Sequence, residues 1–286
     1  MNDRNTAVRR VKSGALKAAI YVSAAIVCVL AAAIAIVVLV KGLPHITLQF
    51  LTEKPSLLTG TIGILPNILN TLYIIFFTMI IVIPLGIGAA VYLNEYAKNK
   101  KLTGLIGLAA ETLSGIPSII YGLVGMLIFV QFCGFGTSLI AGAMTLVIMT
   151  LPTIMRTTEE SLKAVPQSYR EGALALGSGK WRMLRTVVLP SAVDGIITGV
   201  ILAVGRITGE SAALFFTAGM ANEIYGFAQA ASSGNAGSTL TVSLYMYAKE
   251  RGEFDTAFAV AAILLILTLL LNFGAKYAQK HFAERS

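Results

Sequence analysis

The chain has 286 residues, of which 56% are hydrophobic and only 13% charged, with a formal net charge of +8. Soluble domains carry about 25% charged residues, so the composition excludes a soluble globular protein and indicates an integral membrane protein, which the long apolar runs described next make all-α. The two cysteines, Cys28 and Cys133, lie in apolar runs and supply neither a disulfide framework nor a metal-binding spacing. In a membrane chain, a basic excess reads first as topology rather than as nucleic-acid binding.

A membrane-spanning helix needs about 20 predominantly apolar residues, and six such runs are predicted. The first is 18–40. Arginines precede it, as in a signal peptide, but its uncharged run is longer than the roughly 7–15 residues of a signal h-region. A retained helix is therefore expected. The second, 66–93, contains Pro84, Gly86 and Gly88. The third, 113–133, opens near Ser114-Gly115-Ile116-Pro117, which reads as a helix start or a bend, with Glu111 solvated or capping beside it. The fourth, 137–155, is separated from it only by Gly134-Phe135-Gly136. The fifth, 191–218, contains Asp194, Arg206 and Glu210, and the sixth is 256–275. Gly86, Gly88, Gly122 and Gly125 read as packing notches. Residues 41–64 (Thr-rich) and 219–254 read as surface loops, with contact to an external partner as the alternative.

Six spans place both termini on one side. Seventeen Lys and Arg residues then fall on that side and four on the other (Lys41, Lys54, Lys249, Arg251), with Arg206 inside the membrane. The positive-inside rule makes the seventeen-residue side cytoplasmic. It includes the tail carrying Arg4, Arg9, Arg10, Lys12 and Lys17, the polar 156–190 loop, and Arg285 near the C-terminus.

Within that loop, Glu171 to Leu176 is predicted as a short helix whose apolar surface comes from Ala173, Leu174 and Leu176. Gly177 suits a left-handed C-terminal cap. Lys180 to Val188 forms a second short helix with Trp181, Leu184 and Val188 on one face. Leu189-Pro190 then bends the chain into the fifth span. Such a knob fits a partner's groove; the competing reading is a loop that binds anionic lipid through Lys180, Arg182 and Arg185. The sequence contains no G-x-x-x-x-G-K-[ST] phosphate loop and no recognisable enzyme site.

Arg206 and Glu210 are costly within a span, at least about 2.5–3.5 kcal/mol for a charge at the bilayer centre. Their i, i+4 spacing places them on one helical face and lets them pair. Gly195, Gly199, Gly205 and Gly209 share that face, so the charges are expected to look toward a helix or cavity. Two roles compete: an internal or inter-subunit staple, and a substrate path in which Arg206 meets an oxyanion through its planar fork and Glu210 restrains it or couples to gating.

The string Glu171, Gly172, Ala173, three residues, Gly177, nine residues, Val187, one residue, Leu189-Pro190 resembles the EAA loop of ABC importer permeases. Gly172 and Val187 depart from the usual Ala and Ile. With Ser114–Gly122, Gly205–Ala213 and Thr239–Tyr247, the resemblance extends to the PstA family of bacterial phosphate ABC-importer permeases, from about residue 60 to the end. It implies a type I ABC importer permease fold: a cytoplasmic tail (1–17), a first helix and external loop (18–64), a permease core (65–276) and a cytoplasmic tail (277–286) in the bacterial inner membrane. It implies that the 171–190 knob couples to an ATPase and that phosphate crosses by alternating access. The implied partners are a PstC-like permease, two PstB-like ATPases that bind ATP and Mg, an external phosphate-binding protein, and membrane lipid, with no nucleic acid. No cofactor is expected on this chain. Other oxyanions (sulfate, molybdate, tungstate), a channel or secondary carrier, and a membrane scaffold are the alternatives.

Overall fold

The computed structural model describes residues 3–55 and 61–283. Arg285, residues 56–60 of the Thr-rich segment, and the side chains of Arg4, Arg9, Arg10 and Lys12 lie outside the described residues. The chain is all-α. Helix α1 (Asp3–Gly42) runs through a short 3-10 turn to α2 (Leu48–Thr52), where Thr47 Oγ1 accepts from Phe50 N at 3.1 Å. Helix α3 (Leu65–Val91) continues as a π turn to Tyr96, followed by α4 (Lys100–Ser114) and α5 (Ser118–Gly125), the latter extended in π geometry to Phe132. Then come α6 (Leu139–Ala164), α7 (Gln167–Ala175) and α8 (Lys180–Met183), which passes through a π turn (Leu184–Val188) into α9 (Leu189–Thr208). The short helices α10 (Ala212–Thr217), α11 (Phe227–Ala230) and α12 (Leu240–Tyr245) precede α13 (Phe254–Ala283).

Among the described residues, five helical stretches are long and apolar enough to cross a membrane: Leu16–His45, Leu65–Tyr96, Leu139–Ala164, Lys180–Thr208 and Phe254–Tyr277. A sixth arises if Lys100–Ser114 and Ser118–Phe132, bent at 101°, count as one. That bend corrects the third predicted span. Pro117 disfavours the α conformation in the residue before it, so the helix restarts at Ser118 rather than running from 113. The Tyr121 hydroxyl donates to Leu113 O at 2.7 Å across the corner. Glu111 is exposed as expected, 3.6 Å from Arg156.

The fifth span is also corrected, from 191–218 to 180–208. Pro190 does not divide the knob from the span. A proline ring clashes with the carbonyl four residues earlier, here Thr186, which lies in the wider π turn Leu184–Val188. The helix therefore continues through Pro190, and it stops at Thr208 instead of 218. The fourth span, expected at 137–155, extends to Ala164.

Helix α6 is central. It contacts α3 and α9 most extensively, while α1 rests on α13 and α10 on α5. Buried Val82, Leu146, Met149, Ile154, Ile207 and Leu214 form the main core. Small residues permit close approach. A Cβ on Gly86 would meet Ile154 Cγ2 at 2.7 Å, and one on Gly125 would meet Thr145 Oγ1 at 2.2 Å. Gly122 abuts Ala213 Cα, at 2.8 Å from such a Cβ, whereas Gly88 faces open space. On α9 the glycine face divides: Gly195 and Gly199 lie against Ser161 and Thr157 of α6, but nothing lies within 4 Å of a Cβ on Gly205.

This division sets an expectation. Gly199→Ala should destabilise the chain by about 1–3 kcal/mol through overpacking. Gly205→Ala should be neutral or stabilising by up to about 1 kcal/mol through helix propensity. Thermal unfolding of the two variants in detergent checks the contrast.

Candidate coupling and translocation site

The 167–188 segment forms a helix–turn–helix. Helix α7 ends in a Schellman arrangement: Ser178 N donates to Ala173 O at 3.1 Å and Gly177 N to Leu174 O at 3.0 Å. Gly177 has φ +78°, a conformation that costs other L-residues about 1–2 kcal/mol, as its predicted cap role required. The predicted second face is split. Leu184 and Val188 are buried with Ala90, Leu93, Met155 and Leu162, whereas Trp181 is exposed. The outward apolar surface is formed by Tyr169, Leu174, Leu176 and Trp181; Leu176 is 90% exposed. Glu171 and Gly172 are exposed, Ala173 packs on the buried cluster, and Val187, Leu189 and Pro190 are half-buried.

Sequence reasoning missed the attachment of α7. Arg170 Nε and Nη2 donate to Glu95 Oε1 at 3.1 and 3.0 Å, while Nη1 donates to Val165 O at 2.8 Å and Nη2 to Leu162 O at 2.7 Å. Both side chains are largely buried. Glu95 Oε1 also accepts from Asn94 Nδ2 at 2.8 Å. The two charges lie 75 positions apart, so no local spacing announces the pair.

At the opposite end of α9, the predicted Arg206–Glu210 pair does not form. The helix ends at Thr208, with Gly209 as its C-cap, so the i, i+4 register is lost. Glu210 is buried and its Oε1 accepts from Ala213 N at 3.0 Å, capping α10. Its backbone oxygen accepts from Thr241 Oγ1 at 2.6 Å. Arg206 is half-buried and makes no ion pair or hydrogen bond among the described residues. A cavity of about 210 Å³ beside the break is lined by Ile119, Ala212, Phe215, Phe216, Val242 and Tyr245, with Ser211; it offers an anion no cation.

The segment beyond the break is more ordered than the surface loop expected of 219–254. Gly237 N donates to Ala218 O at 2.9 Å, Ser238 N to Ala221 O at 2.8 Å, and Leu139 N to Asn235 O at 3.1 Å. Asn67 Nδ2 donates to Asn222 Oδ1 at 2.9 Å and to Ser238 O at 3.2 Å. The Tyr225 hydroxyl donates to Ala236 O at 2.8 Å. Burial, with Glu223 adding and Lys54 opposing, raises this phenol above its ordinary range.

The chain as a whole is similar to known proteins. The family described as "Binding-protein-dependent transport system inner membrane component" matches residues 82–286. The chain belongs to this family. It is 38% identical over 252 residues to the "Probable ABC transporter permease protein YqgI" of Bacillus subtilis (strain 168), covering 84% of this chain and 85% of that protein. It is 35% identical over 243 residues to the "Phosphate transport system permease protein PstA" of Yersinia pestis, covering 82% and 79%. Among solved structures, a chain of the inward-facing MetNI methionine ABC transporter gives a TM-score of 0.59 at 21% identity, covering 77% of this chain and 94% of that one. A bacterial alginate ABC transporter in complex with its alginate pentasaccharide-bound periplasmic protein gives 0.63 at 14% identity, covering 87% and 88%. The fold is that of type I ABC importer permeases, and the chain is a multi-pass ABC importer permease subunit.

The knob geometry separates two glycines of the permease's loop. Gly172 lies inside α7 in open surroundings, so Gly172→Ala should strengthen that helix by about 1 kcal/mol. Gly177→Val should weaken its end by about 1–2 kcal/mol. Hydrogen exchange of the α7 amides should slow in the first variant and quicken in the second.

Proposed function

We propose that this permease subunit moves inorganic phosphate inward across the bacterial cytoplasmic membrane by alternating access, driven by ATP hydrolysis on partner subunits. The observation that carries the phosphate reading is Arg206, a cation with no partner among the described residues at the end of a spanning helix. An uncompensated charge at membrane depth is costly, and a guanidinium matches an oxyanion's geometry. The phosphate permeases of Xylella fastidiosa and Yersinia pestis, at 33% and 35% identity, support it.

In this reading both termini and the 167–188 knob are cytoplasmic, where ATP is available. Tyr169, Leu174, Leu176 and Trp181 enter an ATPase groove, with Glu171 at its rim. The partners are a second, PstC-like permease, two PstB-like ATPases carrying ATP and Mg, and an external binding protein that delivers phosphate. Closure of the ATPase dimer moves the knob, and the helix that continues from it carries the motion to Arg206. Glu210 caps α10, the short helix that follows the break after Arg206, and so fixes the chain just beyond that residue.

Two measurements test the assignment. Arg206→Ala should abolish ATP-dependent uptake of labelled phosphate in the reconstituted complex while the subunits still co-purify. Lost assembly would instead mark a structural staple, and better competition by sulfate, molybdate or tungstate would reassign the substrate. Leu176→Ser with Trp181→Ser alters exposed side chains, so stability should change by no more than about 0.5 kcal/mol each. Co-purification of the ATPase should nevertheless fall at least tenfold.

A further inference from the structure

We infer that Arg170 and Glu95 are positioning residues that couple the knob to α3, giving the knob a second route into the bundle besides its covalent continuity with α9. The inference rests on the reading of the knob as an ATPase contact. Three observations support it. First, α7 buries none of its residues, and only Ala173 packs on the neighbouring apolar cluster. The helix is thus not held in place by a hydrophobic face.

Second, Arg170 makes the connection that apolar packing does not. Its guanidinium joins three elements: α7, which carries it; the last turn of α6 and the residue after it, through Leu162 O and Val165 O; and the π turn ending α3, through Glu95. A planar fork fixes direction as well as distance, so a rotation of α7 is passed on as a pull on Glu95. A lysine's single ammonium would not constrain that direction. The 11% and 12% side-chain exposure of the pair shields it from the salt screening that weakens surface pairs.

Third, the receiving end is not a regular α-helix. Tyr92–Tyr96 is a π turn, and such turns adjust register within a helix. Glu95 sits inside it, where a small displacement can be taken up or passed along α3. Helix α3 packs extensively on α6, with Gly86 against Ile154, so motion at its end reaches the core.

The test uses the full importer complex in nanodiscs, trapped with ADP and vanadate on the ATPase. Spin labels on α3 (Tyr92→Cys) and at the start of the long helix (Arg185→Cys) are each measured against α13 (Phe273→Cys), in a chain with Cys28→Ser and Cys133→Ser. Trapping should shift both distances in the otherwise native chain. In Glu95→Gln the α3 shift should fall below half while the Arg185 shift persists, and phosphate taken up per ATP should drop severalfold. Glu95→Asp should largely restore both, and Arg170→Lys should lie between. These two conservative variants carry the test if Glu95→Gln fails to assemble. An unchanged α3 shift in Glu95→Gln, or an equal loss of uptake and ATPase activity at constant ratio, overturns the proposal. So does an unshifted α3 in the native chain. If neither label moves there, the coupling reading falls with it, whereas absent phosphate uptake alone removes only the substrate assignment.

Discussion

The structure depends on one uninterrupted helix. Lys180–Thr208 is 29 residues, about 43 Å at 1.5 Å per residue, against a hydrocarbon core of about 30 Å. The helix is thus longer than a straight span needs. One end is the knob, anchored by buried Leu184 and Val188; the other end carries Arg206. A helix resists compression and bending far more than a loop does, so the knob and the guanidinium sit at the two ends of one stiff element. Pro190 would have broken this connection in regular α geometry. The π turn before it keeps the connection whole.

The break that follows is equally constrained. Inside a membrane every backbone polar group needs a partner, and a helix end leaves four donors or acceptors orphaned. Glu210 meets part of that need on both sides: its N–H donates to Ile207 O at the end of α9, and its carboxylate takes the Ala213 N–H of α10, while its own carbonyl takes the Thr241 hydroxyl. The carboxylate makes this cap and no ion pair with Arg206. The same residue that makes the break tolerable therefore leaves the cation without an internal counter-charge among the described residues.

Much of this was legible in the sequence where the signal was local. The six apolar runs located the helices, Gly177 announced its positive φ, and Glu171 to Pro190 located the knob. What escaped was non-local. Periodicity alone cannot tell that Thr208 ends a helix, because Gly205 to Ala213 contains no proline and its two charges, Arg206 and Glu210, keep a helical i, i+4 spacing. Trp181 shares the helical face of Leu184 and Val188, but the knob extends beyond the bundle, so burial stops between them. Glu95 and Arg170 meet only because α3 and α7 converge at one end of α6, which no sequence spacing encodes.

The two halves of α9 differ in what covers them. At the knob-proximal half, Gly195 and Gly199 lie against α6 so closely that even a methyl group would clash. At the far half, Gly205 and Gly209 have no such neighbour from another element, and Arg206 stands half-buried between them. Lipid is a poor cover for that surface: it offers a guanidinium no hydrogen-bond acceptor, and small residues leave its helix backbone accessible. A face with these properties is complementary to another protein surface or a hydrated path. Within this chain Glu210 caps α10 rather than pairing with Arg206, so an acceptor for that guanidinium is not supplied by the described residues.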